Sequence, residues 1–130
     1  MEDLTRAVEV FVSINLIALG VSYLLRPADW RAFIEHLQSK GAAGSLTVAF
    51  LAMGIGSFIV AFHNVWGGVP TILTVYGWLA LAKGGFYALM PGLAQKGMET
   101  ALGMGAGLWR AGGVLVAAVG IVVLQHALQG

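Results

Sequence analysis

The run GAAGSLTVAFLAMGIGSFIVAFHNVWGGVPTILTVYGWLALA, residues 41 to 82, holds no Asp, Glu, Lys or Arg between Lys40 and Lys83. A helix rises 1.5 Å per residue, so about 20 apolar residues cross a hydrocarbon core about 30 Å thick. The 42 residues of this run therefore suffice for two crossings. Its middle, HNVWGGVP at residues 63 to 70, reads as a tight turn. The expected spans are then residues 44 to 63 and 70 to 90, the second ended by Pro91, which lacks the N–H that would continue a helix.

Working outward, residues 8 to 25 form a further apolar run broken only by Glu9, and residues 107 to 127 form a fourth, with no formal charge after Arg110. Barrel strands are about 10 residues long and alternate polar with apolar, whereas these runs are apolar all round. Glu2, Asp3 and Glu9 outnumber Arg6, the opposite of the basic start of a signal peptide, so the first span is expected to be retained. The composition agrees. Of 130 residues 58% are apolar, and only seven Lys or Arg and six Asp or Glu carry charge. That is 10%, against about 25% in soluble globular domains. A net charge of +1 without a basic run excludes nucleic acid as a partner. The absence of cysteine excludes disulfides, thiolate metal sites and cysteine nucleophiles.

After the first span, Trp30, Phe33, Ile34 and Leu37 recur at helical spacing, with Asp29, Arg31, Glu35, Gln38 and Lys40 on other faces. This predicts an interfacial helix over 28 to 40, with Pro27 in its first turn and Gly41 at its end. GVSYLLRP (Gly20 to Pro27) lines up with GGFYALMP (Gly84 to Pro91) at an offset of 64, and the halves end alike at His63 and His126, an offset of 63. The expected fold is all-α: one domain over 1–130 with four transmembrane helices as two tandem parallel two-helix repeats, joined by short interfacial segments. Both units would enter the membrane in the same sense, placing any symmetry axis along the membrane normal.

Lys and Arg set the orientation. The two linkers carry Arg26, Arg31, Lys40, Lys96 and Arg110, whereas the termini and the HNVWGGVP turn carry only Arg6. The linkers are expected in the cytoplasm and both termini outside, in a bacterial inner membrane.

Small residues recur along the spans, among them Gly56, Gly77, Gly84 and Gly113, at spacings that let helices approach closely. The run Gly103 to Gly107 follows no strand, so it lacks the context of a phosphate loop. Lys83 lies about 12 Å along its helix from Pro91, and a cation that deep is expected to snorkel or to find a polar partner. Asn15, Ser13 and Tyr76 are candidate neighbours, and Lys83, Asn15, Ser57 and Tyr76 form a possible polar intramembrane site. His63, Asn64 and His126 form a possible outer-face site, since two imidazoles can ligate haem iron or part of a metal site. Glu9 can pair with Arg6 at i, i+3. Trp30, Trp66 and Trp109 suit an aromatic belt, and Trp78, deeper, suits packing in the bundle. No catalytic constellation, metal set or cofactor motif stands out.

HNVW (His63 to Trp66), T..GWLAL.KG (Thr74 to Gly84) and the ending Tyr87 to Pro91 together resemble a group of uncharacterised small four-span bacterial integral membrane proteins. The similarity is concentrated in residues 54 to 91, with a weaker match at GVSYLLRP. The resemblance implies a four-span inner-membrane protein and brings no activity, substrate or cofactor with it.

The reading that follows is a structural or accessory membrane module, without enzymatic activity, whose partners are the lipid bilayer and either further copies of itself or a larger membrane complex. The alternative is a small-solute or ion pathway lined by Asn15, Ser57 and Lys83. A third reading is a haem or quinone subunit using His63 and His126.

Overall fold

A computed structural model describes residues 2–129. Six helices follow one another: α1 (Glu2–Leu25), α2 (Pro27–Ser39), α3 (Ala42–Phe62), α4 (Pro70–Leu89), α5 (Pro91–Leu102) and α6 (Ala106–Gln129). No strand occurs among the described residues. α1, α3, α4 and α6 are each long and apolar enough to cross a membrane. Their bounds fall within a few residues of the expected spans except at the start of α1, which begins about a turn and a half earlier. Leu4 and Arg6 are good helix formers, and Asp3 suits the positive end of the helix dipole.

Each of the three prolines opens a helix, α2, α4 or α5. At that position its missing N–H costs nothing and its φ is already helical. Ahead of two of them, Arg26 (φ −134°, ψ 55°) and Met90 (φ −132°, ψ 81°) leave the helical region, and the chain turns sharply there. Gly41, at φ 60°, makes the turn from α2 into α3, a conformation that a side chain would strain. α5 is a 12-residue helix where the sequence indicates only a short interfacial segment. Ala94 and Met98, one turn apart on it, are buried.

The most extensive contacts are α1 with α6 and α3 with α4, while α2 packs on α5 at one end of the bundle. Glycine permits both long pairings. A Cβ on Gly20 would strike the backbone of Gly113 and Ala117, and one on Gly84 would strike Ala49 and Met53. Gly56 lies against Gly77 and Leu81, and Gly120 against Ser13 and Ile17. All four glycines named as packing positions, Gly56, Gly77, Gly84 and Gly113, lie in these contacts, inside one chain.

Val8, Val12 and Leu16 of α1, Ile59 of α3, Leu73 of α4 and Val123 of α6 form the core among the long helices. The two pairs touch only lightly along α1–α3 and α4–α6. On one side they part to leave a groove of about 440 Å³, walled by Phe11, Asn15 and Leu19 of α1, Ile55 and Phe58 of α3, and Tyr76 of α4.

At the end where α2 and α5 lie, hydrogen bonds tie the short helices to the long ones and to each other. Gln95 Nε2 donates to Gly41 O (3.1 Å) and Ser45 Oγ (2.9 Å), and Arg31 Nη2 donates to Leu102 O (2.8 Å). Trp30 Nε1 donates to Ser22 Oγ (2.7 Å), Trp109 Nε1 donates to Ala101 O (3.2 Å), and the Tyr23 ring meets both indoles edge to face.

Candidate functional site

The opposite end carries a buried polar cluster built from three helices. α1 presents Glu9 on the same face as the core residues Val8, Val12 and Leu16, so its carboxyl points inward. His63 follows the last residue of α3, and Thr74 lies one turn into α4. All three side chains are buried. His63 Nε2 is 2.9 Å from Glu9 Oε1, and His63 Nδ1 is 3.2 Å from Thr74 Oγ1. Thr74 also pins the turn between α3 and α4: its Oγ1 accepts from Val65 N (3.0 Å) and donates to Val65 O (2.7 Å).

A threonine hydroxyl has one proton, and its nearest acceptor is the Val65 carbonyl. Both ring nitrogens of His63 lie within hydrogen-bond distance of a partner, Nε2 of Glu9 Oε1 and Nδ1 of Thr74 Oγ1, and the imidazole tautomer sets which of them donates. Each buried group thereby has a mate, as a low-dielectric interior requires.

The next residue extends the network outward. Asn64 Oδ1 accepts from Trp66 Nε1 (3.1 Å) and Trp78 Nε1 (3.2 Å). Thr74 and Trp78, one turn apart on α4, thus hold the backbone of Val65 and the side chain of Asn64. The HNVW segment is therefore fastened to α1 through His63 and to α4 at two further points.

The remaining sequence candidates fall in different places. Asn15, exposed, donates to Phe11 O (2.9 Å) and lines the groove, as does Tyr76. Ser57 is exposed, with Oγ 3.4 Å from Gly54 O. Lys83 is exposed on α4, its Nζ 5.6 Å from the centre of the Tyr87 ring, one turn on. Asn15, Ser57 and Lys83 are thus not gathered round one point. His126 is exposed in the last turn of α6, whereas His63 is fully buried. The residue 64 positions after His63 is the buried Ala127, and His126 stands one position out of that register.

Glu9 and Thr74 were not read from the sequence as site residues. Glu9 turns to His63, while Arg6, its expected partner, is exposed. Ser13, one turn beyond Glu9, is fully buried with its Oγ lacking a hydrogen-bond partner among the described residues. The available signal was positional, since Glu9 near the start of the first span and His63 at the end of the second fall at the same end of two antiparallel crossings.

Fold and site define an all-helical protein with four membrane-length apolar helices and a buried acid–imidazole–hydroxyl cluster near one end. No protein-family model, curated protein or solved structure matches the chain.

Proposed function

We propose that the protein is a multi-pass module of a bacterial inner membrane with a structural or accessory role, associating with further copies of itself or with a larger membrane complex. The observation that carries this reading is the use to which its buried polar groups are put. Glu9, His63 and Thr74 satisfy one another across three helices, and Ser45 is bonded to Gln95. Their hydrogen bonds hold helices together, which is their chief use where lipid surrounds a bundle and hydrophobicity does not favour helix contact.

Two further features belong to the reading. The chain is a doubled unit, each half consisting of a long helix, a proline-led short helix and a second long helix. An offset of 64 relates Gly20 to Gly84, Gly56 to Gly120, Ala49 to Gly113 and Ile59 to Val123, and it exchanges the α1–α6 pairing with the α4–α3 pairing. The linker side, with five Lys or Arg against one, faces the cytoplasm.

Because Gly56, Gly77, Gly84 and Gly113 are occupied inside the chain, association uses the groove walled by Phe11, Asn15, Ile55, Phe58 and Tyr76. The chain has no cysteine, which makes the test direct. Ile55→Cys in the groove should cross-link to a second copy or to a companion protein in native membranes. Leu115→Cys, exposed on α6, should not. Equal cross-linking at the two positions would contradict the groove as the interface.

A small-solute or ion pathway is the second reading, favoured by Asn15 and Tyr76 sharing that groove. It requires flux through reconstituted vesicles that Asn15→Leu abolishes. A haem or quinone subunit would need His63 to release Glu9 or Thr74, since both of its ring nitrogens are engaged.

A further inference from the structure

A second cavity of about 440 Å³ lies where the end of α1, the start of α2 and the start of α6 meet, lined by Arg26, Asp29, Arg31 and Arg110 together with Leu25 and Ala106. Three guanidiniums face one carboxylate, and Asp29 is already paired with Arg26. Arg31 is held by Leu102 O through Nη2, while its Nε is buried with no hydrogen-bond partner among the described residues. The first turn of α2 adds its own unsatisfied N–H groups, because its N-cap residue, Arg26, supplies no side-chain acceptor. Arg26, Arg31 and Arg110 thus outnumber Asp29, the one carboxylate among the residues that line the cavity.

We propose that this cavity binds a phosphate group, carried by an anionic phospholipid headgroup or as free phosphate. Guanidinium forks match phosphate oxygens in pairs, and a helix start favours negative charge. The cavity exceeds a bare phosphate in size, and its wall changes from arginine to Leu25 and Ala106, the change met on passing from the phosphate and glycerol of a lipid to its acyl chains. It also lies at the ends of two membrane-length helices, on the end of the bundle that carries five of the seven basic residues. Basic pockets between helices on that side of a membrane suit anionic headgroups.

The test uses the full chain in neutral detergent, with binding of dioleoylphosphatidylglycerol, dioleoylphosphatidylcholine and inorganic phosphate followed by native mass spectrometry. Arg110 makes no side-chain hydrogen bond within the described residues, so Arg110→Gln is the first variant. Arg31→Gln is the second, checked for retained helicity by circular dichroism. Lys96→Gln removes an exposed charge on α5, outside the cavity. Phosphatidylglycerol should bind more tightly than phosphatidylcholine, Arg110→Gln should weaken it about tenfold, and Lys96→Gln should leave it unchanged. Phosphate that binds alone with the same dependence on Arg110 identifies the free ion as the ligand. Phosphate that neither binds nor competes identifies the lipid. Binding indifferent to Arg110, or weakened equally by Arg110→Gln and Lys96→Gln, would overturn the proposal.

Discussion

Glu9 Oε1 lies 2.9 Å from His63 Nε2, joining α1 to the end of α3 across 54 residues of chain. The contact links the α1–α6 pair to the α3–α4 pair where helix packing between them is slight. Removing one partner leaves the other buried without a mate, which costs about 3–5 kcal/mol. His63→Leu and Glu9→Leu are each expected to destabilise the protein by that order. The double Leu variant should recover most of the loss, because an apolar pair leaves no group unsatisfied. Equilibrium unfolding in mixed micelles checks this through the double-mutant cycle, and additive losses would refute a direct coupling.

Thr74 holds Val65 through both of its backbone groups. Thr74→Val keeps the shape and removes three hydrogen bonds, so the residue 63 to 69 turn should loosen while the long helices persist. Amide exchange at Val65 should rise well above wild type, with a stability loss of about 1–3 kcal/mol. Thr74→Ser should retain most of the protection.

Gly84 and Gly85 are neighbours with opposite surroundings. Gly84 abuts Ala49 and Met53, and Gly85 has nothing within 4 Å. Gly84→Val should cost at least about 1–3 kcal/mol through overpacking, whereas Gly85→Ala should be neutral or stabilising by up to about 1 kcal/mol. Gly20→Val, at the position that the proposed repeat makes equivalent, should match Gly84→Val. Thermal unfolding of the three variants in one detergent compares them, and a harmless Gly20→Val would count against the doubled unit.

Lys83 faces outward beside Tyr87 and touches none of the buried cluster. A lysine near a helix centre costs about 2.5–3.5 kcal/mol on insertion scales. Lys83→Leu should therefore fold and resist heat better than wild type. A stable variant with altered vesicle flux would instead favour the pathway reading.

The long helices were legible because charge is so costly in lipid that the lengths of charge-free runs mark the helices able to cross it. α2 was legible from the stripe Trp30, Phe33, Ile34 and Leu37. α5 was not, since PGLAQKGMETAL mixes helix-breaking glycine with only two buried positions, Ala94 and Met98. The polar cluster was hidden for a different reason. A local rule pairs Glu9 with Arg6 three residues away, but the folded bundle turns Glu9 to the core face, where a residue 54 positions distant is its neighbour. The two histidines misled in the same manner: in sequence they end the two halves alike, yet the glycine contacts keep an offset of 64, and one residue of slip carries His126 from the core to the surface.

The central claim, four crossings with the basic linkers inside, is tested most directly by labelling single cysteines in spheroplasts with a membrane-impermeant maleimide. Gly67→Cys, in the α3–α4 turn, should react in intact spheroplasts, while Lys40→Cys and Gly103→Cys should react only after permeabilisation. Labelling of all three positions from the same side of the membrane would contradict the account.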